Sequence, residues 1–380
     1  MKLWSDRVFL NGTLMPAAIE TDGSFITGVS PRDQRLDDEL DFSGLRILPG
    51  FIDSHIHGCA GADTMDASYE ALNAMSSYLV RHGVTTFCPT TVTAPMDKIH
   101  RALRNVKDTM VKGVDGARIL GSNVEGPYIT VEHKGAHPEA FIREIDLEEL
   151  ESLIDAADGT INTMTIAPEQ PDAIQAIALL RSRGIRVSLG HSSATAPQVD
   201  AALASGANTI VHLYNGMAQL HHRDPGLLGA ALIRDCYTEL ICDGFHAKTL
   251  PIQIAARCKA ADRMILITDC MRAGGMPDGE YLLGELDVRV VDGAAYLKVG
   301  GSLAGSTLSL DKALYNYQAL GLVNFDTAVL AVTANPAAAL GISNQVGSLT
   351  PGKRADIIAV DNDCTVQFVT MDGEVKFNAC

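Results

Sequence analysis

The sequence predicts an α/β protein, a (β/α)8 barrel beside a small β-sandwich built from both termini. Three observations lead there. Eight short, β-rich apolar runs recur through the middle of the chain, several of them separated by helical segments. Both ends read instead as short strands punctuated by turns. Titratable residues fall at the ends of the middle runs, where a closed parallel barrel gathers its functional side chains.

The N-terminal strands, residues 1–48, are carried by "RVFLNGTL", "FITGVS" and "DFSGLRILPG", with Gly12, Gly23, Gly28 and Gly44 as punctuation. The C-terminal stretch, 343–380, has the same texture in "GSLTPGKRADIIAVD" and "CTVQFVTMDGEVKF", where Asp372-Gly373 is a hairpin signal. Neither end can build a stable sheet alone, so one small domain made from both is expected.

Residues 49–342 are assigned to the barrel. The runs are "GFIDSHIHG", "TTFCPTT", "RILGSNVEGP", "TMTIAPE", "RVSLGHSS", "TIVHLYNG", "ELICDGFH" and "MILITDC". Between them, "SYEALNAMSSYLVRHG", "QPDAIQAIALLRSRG" and "APQVDAALASG" are helical and end in glycine, as a helix C-terminus favours. An open doubly wound sheet fits less well, because no glycine-rich phosphate fingerprint follows the first strand.

Composition narrows the function classes. A chain of 380 residues with 47% hydrophobic and 20% charged residues is an ordinary folded protein, long enough for one large domain and an accessory piece. Its net charge of −16 argues against nucleic acid or an anionic membrane as partner. No segment has the apolar length of a membrane helix. Asp6 and Arg7 sit where a signal peptide would need its apolar run. The eight cysteines form no CxxC pair, which fits reduced thiols in a cytoplasmic protein.

The candidate chemistry begins at "DSHIH". Side chains at i and i+2 of a strand share a face, so His55 and His57 lie together with Ile56 turned away, and two neutral imidazoles so placed can grip one divalent metal. His191, His212 and His246 lie at or just past the ends of strands five, six and seven. Glu125 ends strand three and Asp269 ends strand eight. Residues at the ends of different strands converge on one mouth of a barrel.

The set "PGFIDSHIHG", "EGPY", "GHS", "VHLYNGM", "DGFH" and "ITDCM" resembles the amidohydrolase superfamily and, within it, the N-acetylglucosamine-6-phosphate deacetylase family. "HxH" and the closing "PGKRADI" mark only the superfamily, whereas "EGPY", "HLYNGM" and "ITDCMRAGG" together mark the deacetylase branch, and the resemblance spans essentially the whole chain. It implies metal-dependent hydrolysis of the acetamide of N-acetyl-D-glucosamine 6-phosphate. The main metal site maps onto Glu125, His191 and His212. His55 and His57 match a second metal position that some members have lost. One or two divalent ions are implied, zinc first, with ferrous iron binding a similar donor set.

The same resemblance gives Asp269 the acid–base role. It gives Ala136 and His137 of "KGAHPE" contacts with the sugar, His137 also polarising the carbonyl, and leaves His133 as a loop residue. Asn215 and Gly216, Arg223 of "HHRDPG" and His246 take substrate and phosphate roles, and Leu303, Ala304 and Gly305 match a loop whose backbone lines the sugar pocket. Arg223 is expected to reach in from a neighbouring subunit, which implies a homodimer. Two departures stand out. Asn123 occupies a place where many relatives carry histidine, and Gly216 replaces the more usual alanine, a change expected to matter little. Cys59, Cys242 and Cys270 near the mouth are read as packing.

Three rival readings differ in class. A deacetylase for the galacto epimer differs only at C4 of the sugar. A cyclic-amide hydrolase would need a carboxylated lysine at the end of strand four, and "TMTIAPE" has none. A degenerate barrel that only binds a sugar phosphate would not need Asp269.

Overall fold

A computed structural model describes residues 1–380. Eight parallel strands form its centre: β1 (Phe51–Ile56), β2 (Val84–Thr91), β3 (Ser122–Val124), β4 (Ile161–Ile166), β5 (Arg186–Leu189), β6 (Thr209–Ile210), β7 (Tyr237–Ile241) and β8 (Met264–Ile267). Each pairs in parallel with the next. The ring is completed between β8 and β1 by the Asp269 amide donating to the His55 carbonyl and the His57 amide to the Cys270 carbonyl, both at 2.9 Å. A two-residue strand, Arg118–Ile119, also pairs with β2 just before β3.

The helix after β1, Tyr69–Arg81, shows how the sequence builds the outer layer. Ser68 caps it by accepting from the Ala71 amide. Leu72, Met75, Leu79 and Val80 recur at helical spacing and are buried. Each such side chain contributes roughly 1.5–3 kcal/mol when fully removed from water. Gly83 ends the segment at φ +77°, a left-handed conformation that costs glycine nothing. The helical segments expected at "QPDAIQAIALLRSRG" and "APQVDAALASG" are Ala173–Ser182 and Ala196–Ala204.

Both termini form one eight-stranded sheet. Strand Arg46–Pro49 pairs antiparallel with Ile357–Val360, and that pairing joins the two chain ends. The sheet closes over its own core of Leu3, Ile19, Ile26, Ile47, Ile357 and Phe368. The Ile26 amide donates to the Lys353 carbonyl at 2.9 Å, linking the far edge back to the C-terminal segment. Arg118 fastens this sheet to the barrel by bonding both Asp356 (2.9 Å) and Asp372 (2.7 Å).

One element was not expected. Between β8 and the helix Leu310–Gly321, the strands Gly279–Leu283, Leu286–Val291 and Ala294–Leu297 form a three-stranded antiparallel sheet. The alternating "ELDVRVVDGAAYL" carries its signal, and Asp292-Gly293 turns with both residues at positive φ. Leu283, Val288, Val290 and Ala295 pack against Met271, Ala273 and Ala304 beside the barrel mouth.

Candidate metal centre and acid–base site

Glu125, just past β3, is the hub. Its Oε1 lies 3.0 Å from Nε2 of His191 and 3.0 Å from Nε2 of His212, and its Oε2 lies 3.1 Å from Nε2 of His57. Two groups could hold a divalent ion, Glu125 with His191 and His212 and Glu125 with His55 and His57, the ligand atoms within each group lying within 4.8 Å of one another. Asp269 Oδ1 is 3.1 Å from Nε2 of His57. All six residues are buried.

The ring orientations decide what each histidine can do. His191 donates Nδ1–H to the His133 carbonyl (2.8 Å), His212 to the Asn215 carbonyl (3.1 Å), His57 to the Thr90 carbonyl (3.3 Å) and His55 to the Glu239 carboxylate (3.1 Å). Each therefore turns Nε2 inward, and that atom offers a lone pair whenever the ring is neutral. The Nε2 atoms of His191 and His212 are 3.1 Å apart, too close for two N–H groups facing each other, and Nε2 of His55 is buried with no hydrogen-bond partner. These four rings fit a metal. His137 is turned the other way, because its Nδ1 accepts from the Thr93 amide (3.2 Å), so its Nε2 carries the proton and is a donor.

Electrostatics follow the same division. Burial pushes the Glu125 carboxyl up, but the charge of His55 and hydrogen bonds from His137, His191 and His212 outweigh it and hold it well below the usual range. Burial opposes charge on His57 too, yet Asp269 and Glu125 raise it to about 9. Asp269 is held at about 2, burial being overcome by the hydrogen bond from His57 and the charges of His55 and His57. The pocket thus favours positive charge, which a divalent ion supplies without protonating the ligands. His137 goes the other way, pulled to about 4 mainly by burial, and is neutral at pH 7.

The backbone at these positions is strained. His191, His212 and Asp269 have φ of +48°, +24° and +47°, a region side-chain-bearing residues rarely adopt, at a cost of about 1–3 kcal/mol each. These are the turns that aim three functional groups from strand ends into one pocket. At Gly305, φ is +60° and a Cβ would meet the Asp269 carbonyl at 3.0 Å, so this loop can approach Asp269 only as glycine.

Above the cluster lies a cavity of about 280 Å³ lined by His57, Glu125, Ala136, His137, His191, His212, Asn215, Gly216, His246, Asp269, Leu303 and Gly305, together with Val92, Gly135, Leu283 and Ser302, none of which the sequence reading singled out. His55 sits beneath it. Ala304, between Leu303 and Gly305, is not itself among the lining residues. Its side chain is fully buried in the core of the three-stranded sheet, and its amide donates to the Ala295 carbonyl at 3.1 Å. Arg223 is also outside, exposed on a loop with Nη1 2.8 Å from Nε2 of His222. No lysine or arginine lines the cavity.

The structure gives the Gly216 position a close neighbour that bears on the expectation that glycine for alanine matters little there. A Cβ there would lie 2.8 Å from Nδ1 of His191 and 3.1 Å from its Cε1, on a backbone at φ +60°. Gly216→Ala should displace the His191 ring and lower metal affinity by roughly 10- to 100-fold, as loss of a ligand's orienting contact does. Metal titration checks this; unchanged affinity would show that the ring accommodates the methyl group. Asn123 bonds weakly to the Ser54 carbonyl (3.4 Å) and leaves its own Oδ1 buried and unpartnered.

Three supporting residues were missed by sequence reasoning. Thr93 sets the His137 ring. Asp243 accepts from Nδ1 of His246 at 2.6 Å. Glu239 faces His55 inside the barrel, and its signal was a lone carboxylate in the apolar run "ELIC". Cys59, Cys242 and Cys270 are buried with thiol pKa values pushed up by burial, as packing residues should be.

Comparison with known proteins places the chain among characterised relatives. The model of the Amidohydrolase family matches residues 46–377. The N-acetylglucosamine-6-phosphate deacetylase of Vibrio furnissii is 46% identical over 362 residues, covering 95% of this chain and 90% of that protein. The N-acetylgalactosamine-6-phosphate deacetylase of Escherichia coli O157:H7 is 43% identical, covering 87% of each. Among solved structures, an aspartate-to-alanine mutant of the Mycobacterium smegmatis N-acetyl-D-glucosamine-6-phosphate deacetylase, in complex with N-acetyl-D-glucosamine-6-phosphate, superposes with a TM-score of 0.94 at 31% identity, covering 100% of this chain and 99% of that one. The chain belongs to the amidohydrolase family, in the same branch as these deacetylases.

Proposed function

We propose that the protein hydrolyses the acetamide of N-acetyl-D-glucosamine 6-phosphate to D-glucosamine 6-phosphate and acetate. The observation that carries this reading is the split of ring orientations around Glu125. Four imidazoles have Nδ1–H tied from behind and Nε2 turned inward, while His137 turns Nε2–H inward, beside the Asp269 carboxylate 3.1 Å from His57. Glu125, His191 and His212 would hold one divalent ion, zinc suiting a carboxylate with two imidazoles, and His55 and His57 would share Glu125 with a second. When bound, such an ion supplies a Lewis acid and lowers the pKa of water from 15.7 to about 7.

This chain's own groups do the rest. His137 donates Nε2–H to the acetamide oxygen, and its neutral ring keeps that proton available. Asp269, ionised at neutral pH, accepts the proton of the attacking water. Its conjugate acid is strong and hands the proton to the departing amine as the C–N bond breaks. The absence of lysine from the cavity weighs against a cyclic-amide hydrolase.

The substrate's phosphate needs a cation that the cavity of one chain does not offer beyond His246. Arg223 reaching across a homodimer meets that need, since a guanidinium grips phosphate through two parallel N–H donors. Arg223→Ala should raise KM for the 6-phosphate by roughly 10- to 150-fold, the worth of a charged hydrogen bond, and leave unphosphorylated N-acetylglucosamine almost unaffected. Mixing Arg223→Ala with Asp269→Asn chains should regenerate active sites. Verified heterodimers without activity would assign Arg223 to its own chain's site or to none. No helix is long and apolar enough to cross a membrane, and the eight free cysteines support a cytoplasmic place.

The reading is tested by amine and acetate release from the gluco and galacto 6-phosphates, with metal analysis on the same sample. A relative named for each epimer makes the comparison necessary. Faster turnover of the galacto epimer would transfer the assignment to it, and turnover of neither would overturn the reading.

A further inference from the structure

Glu239 is a carboxylate in the interior of the barrel, 4% exposed, in the middle of β7. A buried charge there is costly unless something nearby offsets it. Its Oε2 lies 3.1 Å from Nδ1 of His55, and its Oε1 accepts from the Ser54 hydroxyl at 3.1 Å. Arg186 lines the same small polar space beneath the site but forms no ion pair with it. Besides the Ser54 hydroxyl, the Nδ1–H of His55 is therefore the hydrogen-bond partner Glu239 has.

His55 is unlike the other three inward-facing rings. His57, His191 and His212 each rest Nδ1 on a backbone carbonyl, which any sequence could provide. His55 alone rests on an ionisable side chain. Its Nε2 is the one with no hydrogen-bond partner, 3.5 Å from Glu125 Oε1 and 3.6 Å from Asp269 Oδ1. The ring is aimed at a point between the two carboxylates and held there from behind.

We propose that Glu239 is a positioning residue for the ion shared by His55, His57 and Glu125, and that it makes binding of a second divalent ion possible. It does so in two ways. It fixes the proton of His55 on Nδ1, so the Nε2 lone pair faces the site, and a carboxylate behind an imidazole makes that ligand more basic. It also adds a third negative charge to those of Glu125 and Asp269, which brings a pocket holding two divalent ions nearer to neutrality. The backbone ties the effect to the rest of the site, because the Glu239 carbonyl accepts from the Leu213 amide at 2.7 Å, next to His212.

This inference rests on the reading of the pocket as a metal site, and the experiment separates the two. Wild type, Glu239→Gln and His55→Ala are equilibrated with zinc over a range of free concentrations, and bound zinc per chain is counted. Wild type should bind two ions. Glu239→Gln should weaken the second by roughly 10- to 100-fold and leave the first unchanged, matching the direction of His55→Ala. Glu239 acting only as a packing residue would lower thermal stability and weaken both ions alike. Ser54→Ala, which frees one oxygen of Glu239, should shift the second ion in the same direction by a smaller factor and covers the case in which Glu239→Gln fails to fold. Two ions of unchanged affinity in Glu239→Gln would overturn the proposal. So would a single ion in fully active wild type, which would leave the deacetylase reading intact. Wild type with no ion and full activity would overturn both.

Discussion

His191→Ala should lose the ion held with Glu125 and His212 and reduce turnover to the uncatalysed background. His191 Nε2 lies 3.0 Å from Glu125 Oε1 and 3.1 Å from His212 Nε2, so removing the ring takes away one of three ligands and leaves two donors that cannot close the shell. No other imidazole can move in. His137 has its Nδ1 tied to the Thr93 amide, and His55 and His57 are fixed from behind by Glu239 and Thr90. The measurement couples metal content, rate and melting temperature on the same preparation. Zinc should raise the melting temperature of wild type, since a ligand at about 1,000 times its Kd stabilises by about 4.1 kcal/mol, and that shift should be much reduced in His191→Ala. His55→Ala provides the contrast, with the first ion retained and a smaller loss of rate. Normal activity in metal-free His191→Ala would overturn the mechanism.

Much of this was legible in the sequence because strand ends in a barrel are informative positions. Eight apolar runs gave eight strands, and the residues that closed them, Glu125, His191, His212 and Asp269, met in one pocket. Direction of approach was not legible. Nothing in "KGAHPE" says that His137 faces the cluster with a proton rather than a lone pair, since that follows from a Thr93 amide forty-four residues away. Glu239 was hidden for the same reason. A carboxylate inside an apolar strand looks like an error of patterning until the ring it supports, on the next strand but one around the barrel, is in place. The crowding at Gly216 was not legible either, because the cost of a methyl group depends on a tertiary neighbour, the His191 ring, and not on local conformation alone. The three-stranded sheet had its alternation and its Asp-Gly turn in plain view, but it interrupts the βα repeat that guided the reading.

Asp269→Asn should lower kcat by roughly 10² to 10⁴ while KM changes far less and metal stays bound. The substitution preserves shape and the backbone that aims it. The Asp269 amide donates to the His55 carbonyl at 2.9 Å, and its carbonyl accepts from the Ser306 amide at 2.7 Å, so the strained turn is pinned from both sides. What is lost is the capacity to take a proton from water and return it to the amine. At 1.36 kcal/mol per decade the expected drop is about 2.7 to 5.4 kcal/mol of transition-state stabilisation. The sign of the pH dependence sharpens the test. A carboxyl held at about 2 loses its base form only as pH falls through that value, so it is ionised across the neutral range. The ratio of wild-type to Asp269→Asn rates should therefore be the same at about pH 6 and about pH 8. A ratio that grew with pH between those values would mean that the base titrates in the neutral range in the working enzyme. An unchanged kcat would remove Asp269 from proton transfer altogether, and with His137 Nδ1 occupied by the Thr93 amide, His137 could serve as base only after that contact breaks and Nε2 gives up its proton.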